Sequence, residues 1–294
     1  MILTNTVIPF NTRFGLYKAI DMVCEAGFRS IDIDLCDLDS PLLQRDNTEA
    51  IAEVKRHLEE YGAIAHQAHA PFPIGKDAYR IPEENIDELL RRSLEVAGAL
   101  GIAQVIFHPI RIYDSTMAER IAVNREILAP YGEYAKKCGT HIAVENLFCQ
   151  HKENRAKLTA NACSTGEELA ATVDALGEGF VACLDVGHAG LAGQSAAEMI
   201  RTLGKKRLHA LHVHDNNYME DQHKVPYHGK MDWESIIDAL AEIGYDDSFT
   251  FEAIPSYTHK LPEPLCRSFL CDLYNVGMDF IKRIEEKKKE YGTL

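Results

Sequence analysis

Short segments rich in apolar and β-branched residues alternate along the chain with longer segments in which apolar residues recur at helical spacing. Four strand-like segments are each followed by a helical pattern: SIDIDL before 47–61, AIAHQAHA before 83–100, QVIFHP before 116–137 and HIAVEN before 164–176. VACLDVGHA, LHALHVHDN and SFTFEA continue the alternation, and the last precedes a long helical pattern from about Pro264. With an opening strand around 2–8 and a helix over GLYKAIDMVCEAG, the chain contains eight strand-helix units.

Repeated strand-helix units of this length predict a parallel sheet, and eight of them predict a closed (β/α)8 barrel. We therefore expect a single domain over residues 1–294. An open, doubly wound sheet is the alternative, but no Gly-x-Gly-x-x-Gly motif follows the first strand. Glycines in EAGF, EYGA, ALGI, KCGT and EIGY follow helical patterns and precede strands, which predicts that they end the helices.

The charge of the chain narrows the class of partner. Its 294 residues are 46% hydrophobic and carry a formal net charge of -14, which is typical of a globular protein with an acidic surface. An acidic surface repels a phosphate backbone, so the composition disfavours nucleic acid as a partner. A small-molecule ligand is the better expectation, and the long C-terminal helix is compatible with a homo-oligomer.

Cysteine usage and hydropathy bear on location. The eight cysteines include no Cys-x-x-Cys pair and form no framework typical of a small disulfide-rich domain, which predicts reduced thiols and a cytoplasmic protein. The first residues, MILTNTVIPFNTRF, lack the pattern of a secretory signal. No segment approaches the ~20 apolar residues of a membrane span, so no contact with a membrane is expected.

Polar residues stand where the predicted strands end. They occur after the third to the eighth strand, spaced by 29 to 40 residues: His69, His108, Glu145, Asp185, His214 and Glu252. The carboxyl ends of all strands meet at one mouth of a (β/α)8 barrel, so these side chains should converge there. Mixed histidine and carboxylate ligands favour a divalent ion such as Zn, Mn or Co. No Gly-x-Ser-x-Gly elbow offers a competing nucleophile.

Each of these residues also has a purely structural interpretation, because a single histidine at a strand end is more often hydrogen-bonded than metal-bound. The two glutamates weigh against that interpretation. Glu145 and Glu252 follow apolar strands, where an unpaired carboxylate is expensive to bury, and a shared cation is the simplest compensation. His212 precedes His214 by two residues on the same face, which predicts a supporting role one layer deeper, and His209 should be structural.

Seven motifs occur in one order from residue 67 to 253: QAHAPF, FHP, VEN, LDVGHA, HVHDN, DQH with the following GKMDW, and FEA. With them the chain resembles the xylose isomerase-like TIM-barrel superfamily, which includes sugar phosphate isomerases and epimerases and the family 2 apurinic endonucleases. The resemblance to the ketose epimerases implies that Glu145, Asp185, His214 and Glu252 bind one divalent ion, commonly Mn, Co or Mg. It also implies that the two glutamates act as acid and base, and that His188 holds the substrate.

One departure from the epimerase pattern lies in the loop after the seventh strand. Ketose epimerases place a substrate-binding arginine about three residues before the proline of this loop, whereas this chain has His223 before Pro226. Asp221-x-His223 is instead similar to the apurinic endonuclease pattern, where such a pair completes a trinuclear zinc site. The resemblance to that branch implies nine ligand positions in all: His69, His108, Glu145, Asp185, His188, His214, Asp221, His223 and Glu252.

Three functions therefore remain open. The favoured one is a metal-dependent isomerase or epimerase of a small sugar or sugar derivative, with Glu145 and Glu252 transferring protons and His188, His69, His108 and His223 available to the substrate. The second is a multinuclear zinc phosphoesterase, for which abasic DNA would be the exceptional nucleic-acid substrate. The third is a catalytically inactive sugar-binding barrel.

The identity of the sugar depends on loops whose side-chain directions the sequence does not give, at 71–81, 109–115, 148–163 and 254–263. A phosphorylated substrate would need a cationic or helix-terminal anchor. Five basic residues are candidates for that anchor: Lys152, Arg155, Lys157, Lys224 and Lys230. Of these, Lys230 is expected to be a solvated loop residue.

Overall fold

The computed structural model describes residues 1–72, 83–112, 114–150, 158–160 and 162–294. Eight parallel strands form one sheet, and their bounds are β1 Ile2–Thr6, β2 Ser30–Asp34, β3 Ile64–His69, β4 Gln104–Phe107, β5 His141–Glu145, β8 Phe180–Asp185, β9 Leu208–His212 and β10 Ser248–Phe251. Two further strands, β6 Phe148–Gln150 and β7 Leu158–Ala160, pair antiparallel as a separate hairpin.

The sheet curves until its two edge strands meet. Its order is β10-β1-β2-β3-β4-β5-β8-β9. A parallel bridge between Val213 and Phe251 joins β9 to β10, with Val213 N donating to Thr250 O at 2.8 Å and Glu252 N donating to Val213 O at 3.1 Å. The predicted (β/α)8 TIM barrel is confirmed, and the open-sheet alternative is excluded because both edges find a partner.

Helices surround the barrel and connect its strands. Their bounds are Ile8–Phe14, Leu16–Glu25, Thr48–Tyr61, Glu83–Leu100, Met117–Cys138, Gly166–Leu176, Val186–Leu191, Ala196–Arg207, Trp233–Glu242 and Glu263–Tyr291, with 3-10 turns at Pro41–Leu43 and Thr258–Lys260. Within the described ranges, no helix is both long enough and apolar enough to cross a bilayer.

The predicted helix ends agree with the backbone. Gly62 and Gly139 adopt left-handed conformations, with φ of 59° and 76°, directly after the helices that they terminate. A side chain at such a φ would be strained, which is why glycine stands there. The helix Met117–Cys138 begins with a capping box in which Thr116 and Glu119 each bond the other's backbone N–H.

The barrel interior has an apolar side and a polar side. Ile106, Ala143, Cys183 and Ala210 pack together from β4, β5, β8 and β9. On the opposite side, Gln67 of β3 reaches towards β10, where its Oε1 accepts hydrogen bonds from Ser248 Oγ at 3.4 Å and Thr250 Oγ1 at 3.2 Å. This polar layer lies beneath the mouth at which the candidate site opens.

Candidate metal centre and active site

The six strand-end residues occupy the expected ends of the barrel strands. His69, Glu145 and Asp185 are the last residues of β3, β5 and β8, and His108 and Glu252 directly follow β4 and β10. His214 lies two residues after the end of β9. Because the strands are parallel and adjacent, all six side chains lie at one mouth, as the order of the motifs predicts.

Asp185 ends its strand for a local reason. Its Oδ1 accepts a hydrogen bond from the backbone N of His188 at 2.6 Å, which caps the short helix Val186–Leu191. The helix therefore begins immediately after the strand, and His188 lies near Glu145, with its Nδ1 3.5 Å from Glu145 Oε1. The prediction that Asp185 ends its strand is confirmed, whereas the short helix that follows was not predicted.

Glu145 is the centre of the cluster. Its Oε1 lies 2.9 Å from His212 Nδ1, and its Oε2 lies 2.9 Å from His108 Nε2 and 3.6 Å from His69 Nε2. Burial raises the pKa of Glu145, but the neighbouring His212 and His108 outweigh burial and hold the pKa well below its usual range. The carboxylate is therefore ionised and surrounded by imidazoles.

Four side chains form the first candidate metal site. One ligand atom each from Glu145, Asp185, His212 and Glu252 lies within 4.8 Å of the others, and all four residues are buried. The fourth ligand in this group is His212, whereas the resemblance implied His214. His214 remains adjacent, with its Nε2 3.0 Å from Asp185 Oδ2. The set of residues that the resemblance implied is therefore contiguous.

A second group lies beside the first. His188, His214, Asp221 and His223 also bring one ligand atom each within 4.8 Å of the others. Asp221 Oδ2 lies 3.2 Å from His223 Nε2 and 3.5 Å from His188 Nε2, and the rings of His214 and His223 stack with centroids 4.0 Å apart. His223 links the two groups, because its Nδ1 lies 3.6 Å from Glu252 Oε2.

The charges of the histidines differ across the mouth. Burial lowers the pKa of His108 to about 4. Burial also lowers the pKa of His223, but Asp221 and Glu252 raise it more, to about 10. In the same way Glu252 and Glu145 overcome burial and raise the pKa of His212 to about 9. Protons on His212 and His223 balance the carboxylates, and a metal ion would have to displace them.

Unpaired buried nitrogen atoms indicate that these residues fit a divalent metal ion. Two buried ring nitrogens, His214 Nδ1 and His212 Nε2, have no hydrogen-bond partner in the part of the chain that the structure describes. Buried polar atoms are normally paired, so such atoms indicate a missing ligand. Imidazole nitrogens combined with carboxylate oxygens suit Zn, Mn or Co.

Aromatic rings form part of the wall. Phe72 stacks on His108 with ring centroids 3.9 Å apart and also contacts the ring of His69. Phe148 of the β6–β7 hairpin contacts His188 with a centroid separation of 5.2 Å. Neither contact was predicted, because the sequence does not show which loop side chains turn towards the mouth.

The sequence predicted a structural role for His209 and named five basic residues as possible substrate anchors. His209 is at the opposite end of the barrel, where its Nδ1 is 3.1 Å from Asp247 Oδ2. Lys224 is half-buried and Lys230 is exposed. Lys152, Arg155, Lys157 and most of the predicted substrate loop 71–81 lie outside the described residues.

A (β/α)8 barrel with histidines and carboxylates gathered at the carboxyl ends of its strands defines a class of proteins in which the strand-end loops carry the chemistry. The family described as "Xylose isomerase-like TIM barrel" matches residues 20–266. The chain belongs to this family.

Known proteins similar to this chain extend the comparison. The protein y4fM of Sinorhizobium fredii, described as uncharacterized, is 27% identical over 267 residues, and the alignment covers 81% of each chain. The crystal structure of D-allulose 3-epimerase from Methylomonas sp. in complex with D-allulose is 24% identical, with a TM-score of 0.71 and 96% of each chain covered. The structure of IolI protein with a binding zinc atom is 17% identical, with a TM-score of 0.73 and 99% of each chain covered.

Proposed function

We propose that the protein is a metal-dependent isomerase or epimerase of a small sugar or sugar derivative. The observation that carries the proposal is the pair of buried glutamates, Glu145 and Glu252, within one group of candidate metal ligands. The sugar and the zinc named with the two similar structures support this class of ligand and cofactor. The acidic charge of the chain agrees with a neutral substrate rather than a polyanion.

Glu145, Asp185, His214 and Glu252 would hold the ion, with His212 in contact with both glutamates at 2.9 and 3.5 Å. A divalent ion bound there would supply Lewis acidity, which would acidify the C–H bond next to the carbonyl of the substrate. Mn, Co, Mg and Zn all meet this requirement, and the nitrogen ligands favour the transition metals over Mg.

The two glutamates approach the substrate from different sides. Glu145 ends β5 and Glu252 follows β10, which lies three strands away around the closed barrel. One carboxylate can therefore remove a proton from one face of a planar intermediate while the other returns a proton to the opposite face. Return to the same carbon gives epimerisation, and delivery to the adjacent carbon gives aldose-ketose isomerisation.

Histidines around the two glutamates complete the proposed site. His188, His69, His108 and His223 are the proposed substrate contacts, because imidazoles can bond sugar hydroxyls as donors or acceptors. The stack of Phe72 on His108 places an apolar ring beside them. Such a ring limits the access of water to the reacting carbon and strengthens the local electrostatic interactions.

The test is exchange of substrate protons with solvent. A panel of ketoses is incubated with the Mn-loaded protein in deuterated water, and loss of the proton signal next to the carbonyl is followed by NMR. Glu145→Gln and Glu252→Gln should each reduce the exchange rate by ~10²–10⁴-fold, which is the usual contribution of an acid-base group. Glu220→Gln is the matched control, because Glu220 is exposed on the loop after β9. Full activity in either glutamine variant of the mouth would contradict the two-carboxylate mechanism.

The second metal-ligand group favours one competing function, a multinuclear zinc phosphoesterase. Elemental analysis of protein purified without chelator distinguishes the two. About one ion per chain is expected for the isomerase. Two or three zinc ions per chain would favour the phosphoesterase, and incision of abasic-site DNA would then be the next assay. Binding of a ketose without solvent exchange would instead support an inactive sugar-binding barrel.

A further inference from the structure

Asn146 follows Glu145 and makes contacts that its position in the chain does not suggest. Its side chain is fully buried and bonds both backbone groups of Asp185: Asp185 N donates to Oδ1 at 2.7 Å, and Nδ2 donates to Asp185 O at 2.9 Å. The β5–β8 ladder has its last register pair at Glu145 and Cys183. The amide of Asn146 therefore continues the ladder beyond the last paired residues of the two strands.

The same residue also contacts His188. His188 Nδ1 lies 3.0 Å from the main-chain oxygen of Asn146, which can only accept a hydrogen bond. Nδ1 therefore carries a proton, and Nε2 is the ring nitrogen that faces Asp221 Oδ2, at 3.5 Å. Asn146 thus touches the segments that carry Asp185 and His188, and Glu145 is its neighbour in the chain.

We infer that Asn146 is a positioning residue, which fixes the separation of the Glu145 and Asp185 carboxylates and directs His188 Nε2 towards Asp221. The inference rests on the proposed function in one respect, that these residues bind a divalent ion. A cation needs its ligands at fixed separations, and partners behind the ligands supply that order. Asn146 binds neither the ion nor the substrate in this role.

The chemistry of the amide explains why few other residues could replace it. Aspartate keeps the acceptor for Asp185 N but sets a carboxylate oxygen against the carbonyl of Asp185. Glutamine is longer by one methylene and would displace the ladder. Alanine removes the acceptor that pairs with Asp185 N and one donor to Asp185 O, both in a buried position.

Asn124 is a matched control in the same chain. It is buried to the same degree, and it bonds both backbone groups of one residue in the same way, with Ile110 N donating to its Oδ1 at 2.7 Å and its Nδ2 donating to Ile110 O at 3.2 Å. Asn124 lies in the helix Met117–Cys138 and is not among the candidate metal ligands. Replacing it removes the same type of interaction without touching Glu145, Asp185 or His188.

The experiment is a calorimetric titration of Mn²⁺ into the metal-free protein and into Asn146→Ala, Asn146→Asp and Asn124→Ala. Asn146→Ala should bind Mn²⁺ at least ~10-fold more weakly than the unaltered protein, whereas Asn124→Ala should bind it within about twofold. Cobalt adds a spectroscopic signature, because the visible absorption of saturated Co²⁺ protein should change for Asn146→Ala but not for Asn124→Ala. The melting temperature of each variant reports the purely structural cost.

The outcomes test the role of Asn146 and the proposed function separately. Normal Mn²⁺ affinity and an unchanged Co²⁺ spectrum in Asn146→Ala would overturn the role of Asn146 while leaving the metal site intact. Absence of Mn²⁺, Co²⁺ and Zn²⁺ binding by the unaltered protein would overturn the proposed function itself. If Asn146→Ala does not fold, Asn146→Asp carries the comparison, and its affinity should also fall by several-fold.

Discussion

Asp32 offers a direct test of the electrostatics inside the barrel. Its side chain is fully buried on β2, and neither carboxylate oxygen makes a well-aligned hydrogen bond with the described residues. Burial raises the pKa of Asp32 from an ordinary value of 3.8 to about 7, even though His212 and His69 lower it. Asp32→Asn keeps the shape of the side chain and removes its ionisation.

The magnitude follows from the pKa difference between the folded and unfolded chains. A carboxyl whose pKa is raised on folding favours the protonated form, so its contribution to stability is fully present below pH 3.8 and is lost as pH rises to about 7. Each pH unit between these values costs about 1.4 kcal/mol, which gives about 4 kcal/mol at pH 8 and less than half of that at pH 5. The asparagine variant does not lose this free energy.

The assay is differential scanning calorimetry of the metal-free protein and of Asp32→Asn between pH 5 and pH 8. For a chain of this length the entropy of unfolding is about 0.6 kcal/mol per degree, so the melting temperature of the variant should gain about 4 °C relative to the unaltered protein over that interval. Asp39→Asn, at an exposed position, controls for the amide itself. A difference between Asp32→Asn and the unaltered protein that stays constant with pH would refute the reasoning.

Two other substitutions test particular contacts. A methyl group at Gly187 would lie 2.1 Å from His214 Cε1 and 2.6 Å from its Nδ1, so Gly187→Ala should displace this ring and weaken Mn²⁺ binding by about 10-fold or more, measured by calorimetric titration. At the other end of the barrel, Asp247 raises the pKa of His209 above its usual 6.5. The His209–Asp247 ion pair is fully formed below pH 6.5 and weakens as pH rises through the higher pKa of the folded protein. The melting temperature of His209→Gln should therefore be furthest below that of the unaltered protein in acid and nearest to it in alkali. A difference in melting temperature that does not change with pH would exclude this ion pair as the cause of the destabilisation.

The sequence predicts the barrel and its mouth because both depend on local patterns. Strand and helix periods are visible in short windows, and parallel strands in a barrel necessarily bring their carboxyl ends together. The convergence of Glu145, Asp185 and Glu252 follows from topology alone, without knowledge of any side-chain conformation. This explains how three residues separated by 40 and 67 positions in the chain could be assigned to one site.

Contacts that depend on side-chain direction could not be predicted in the same way. His212 was expected to support the site from one layer below, but the sequence did not show that its Nδ1 would lie 2.9 Å from Glu145 Oε1. The β6–β7 hairpin and the short helix Val186–Leu191 interrupt the simple alternation of strand and helix. Asn146 gave no signal of its own, because an asparagine after a glutamate in a strand-end motif is equally compatible with a turn.

The uneven barrel interior connects the fold to the proposed chemistry. A barrel filled only with residues such as Ile106 and Ala143 would be more stable, since burying unpaired carboxyl groups opposes folding. The chain nevertheless buries Asp32, Glu145, Asp185 and Glu252 on and above the polar side, with imidazoles as their nearest counter-charges. Protons on those imidazoles stabilise the metal-free protein, and a divalent ion would replace several of them at once. Stability and metal affinity should therefore both depend on pH through the same buried carboxylates and imidazoles. Apart from Asp32, the residues that destabilise the core are thus the residues that we propose to bind the metal ion.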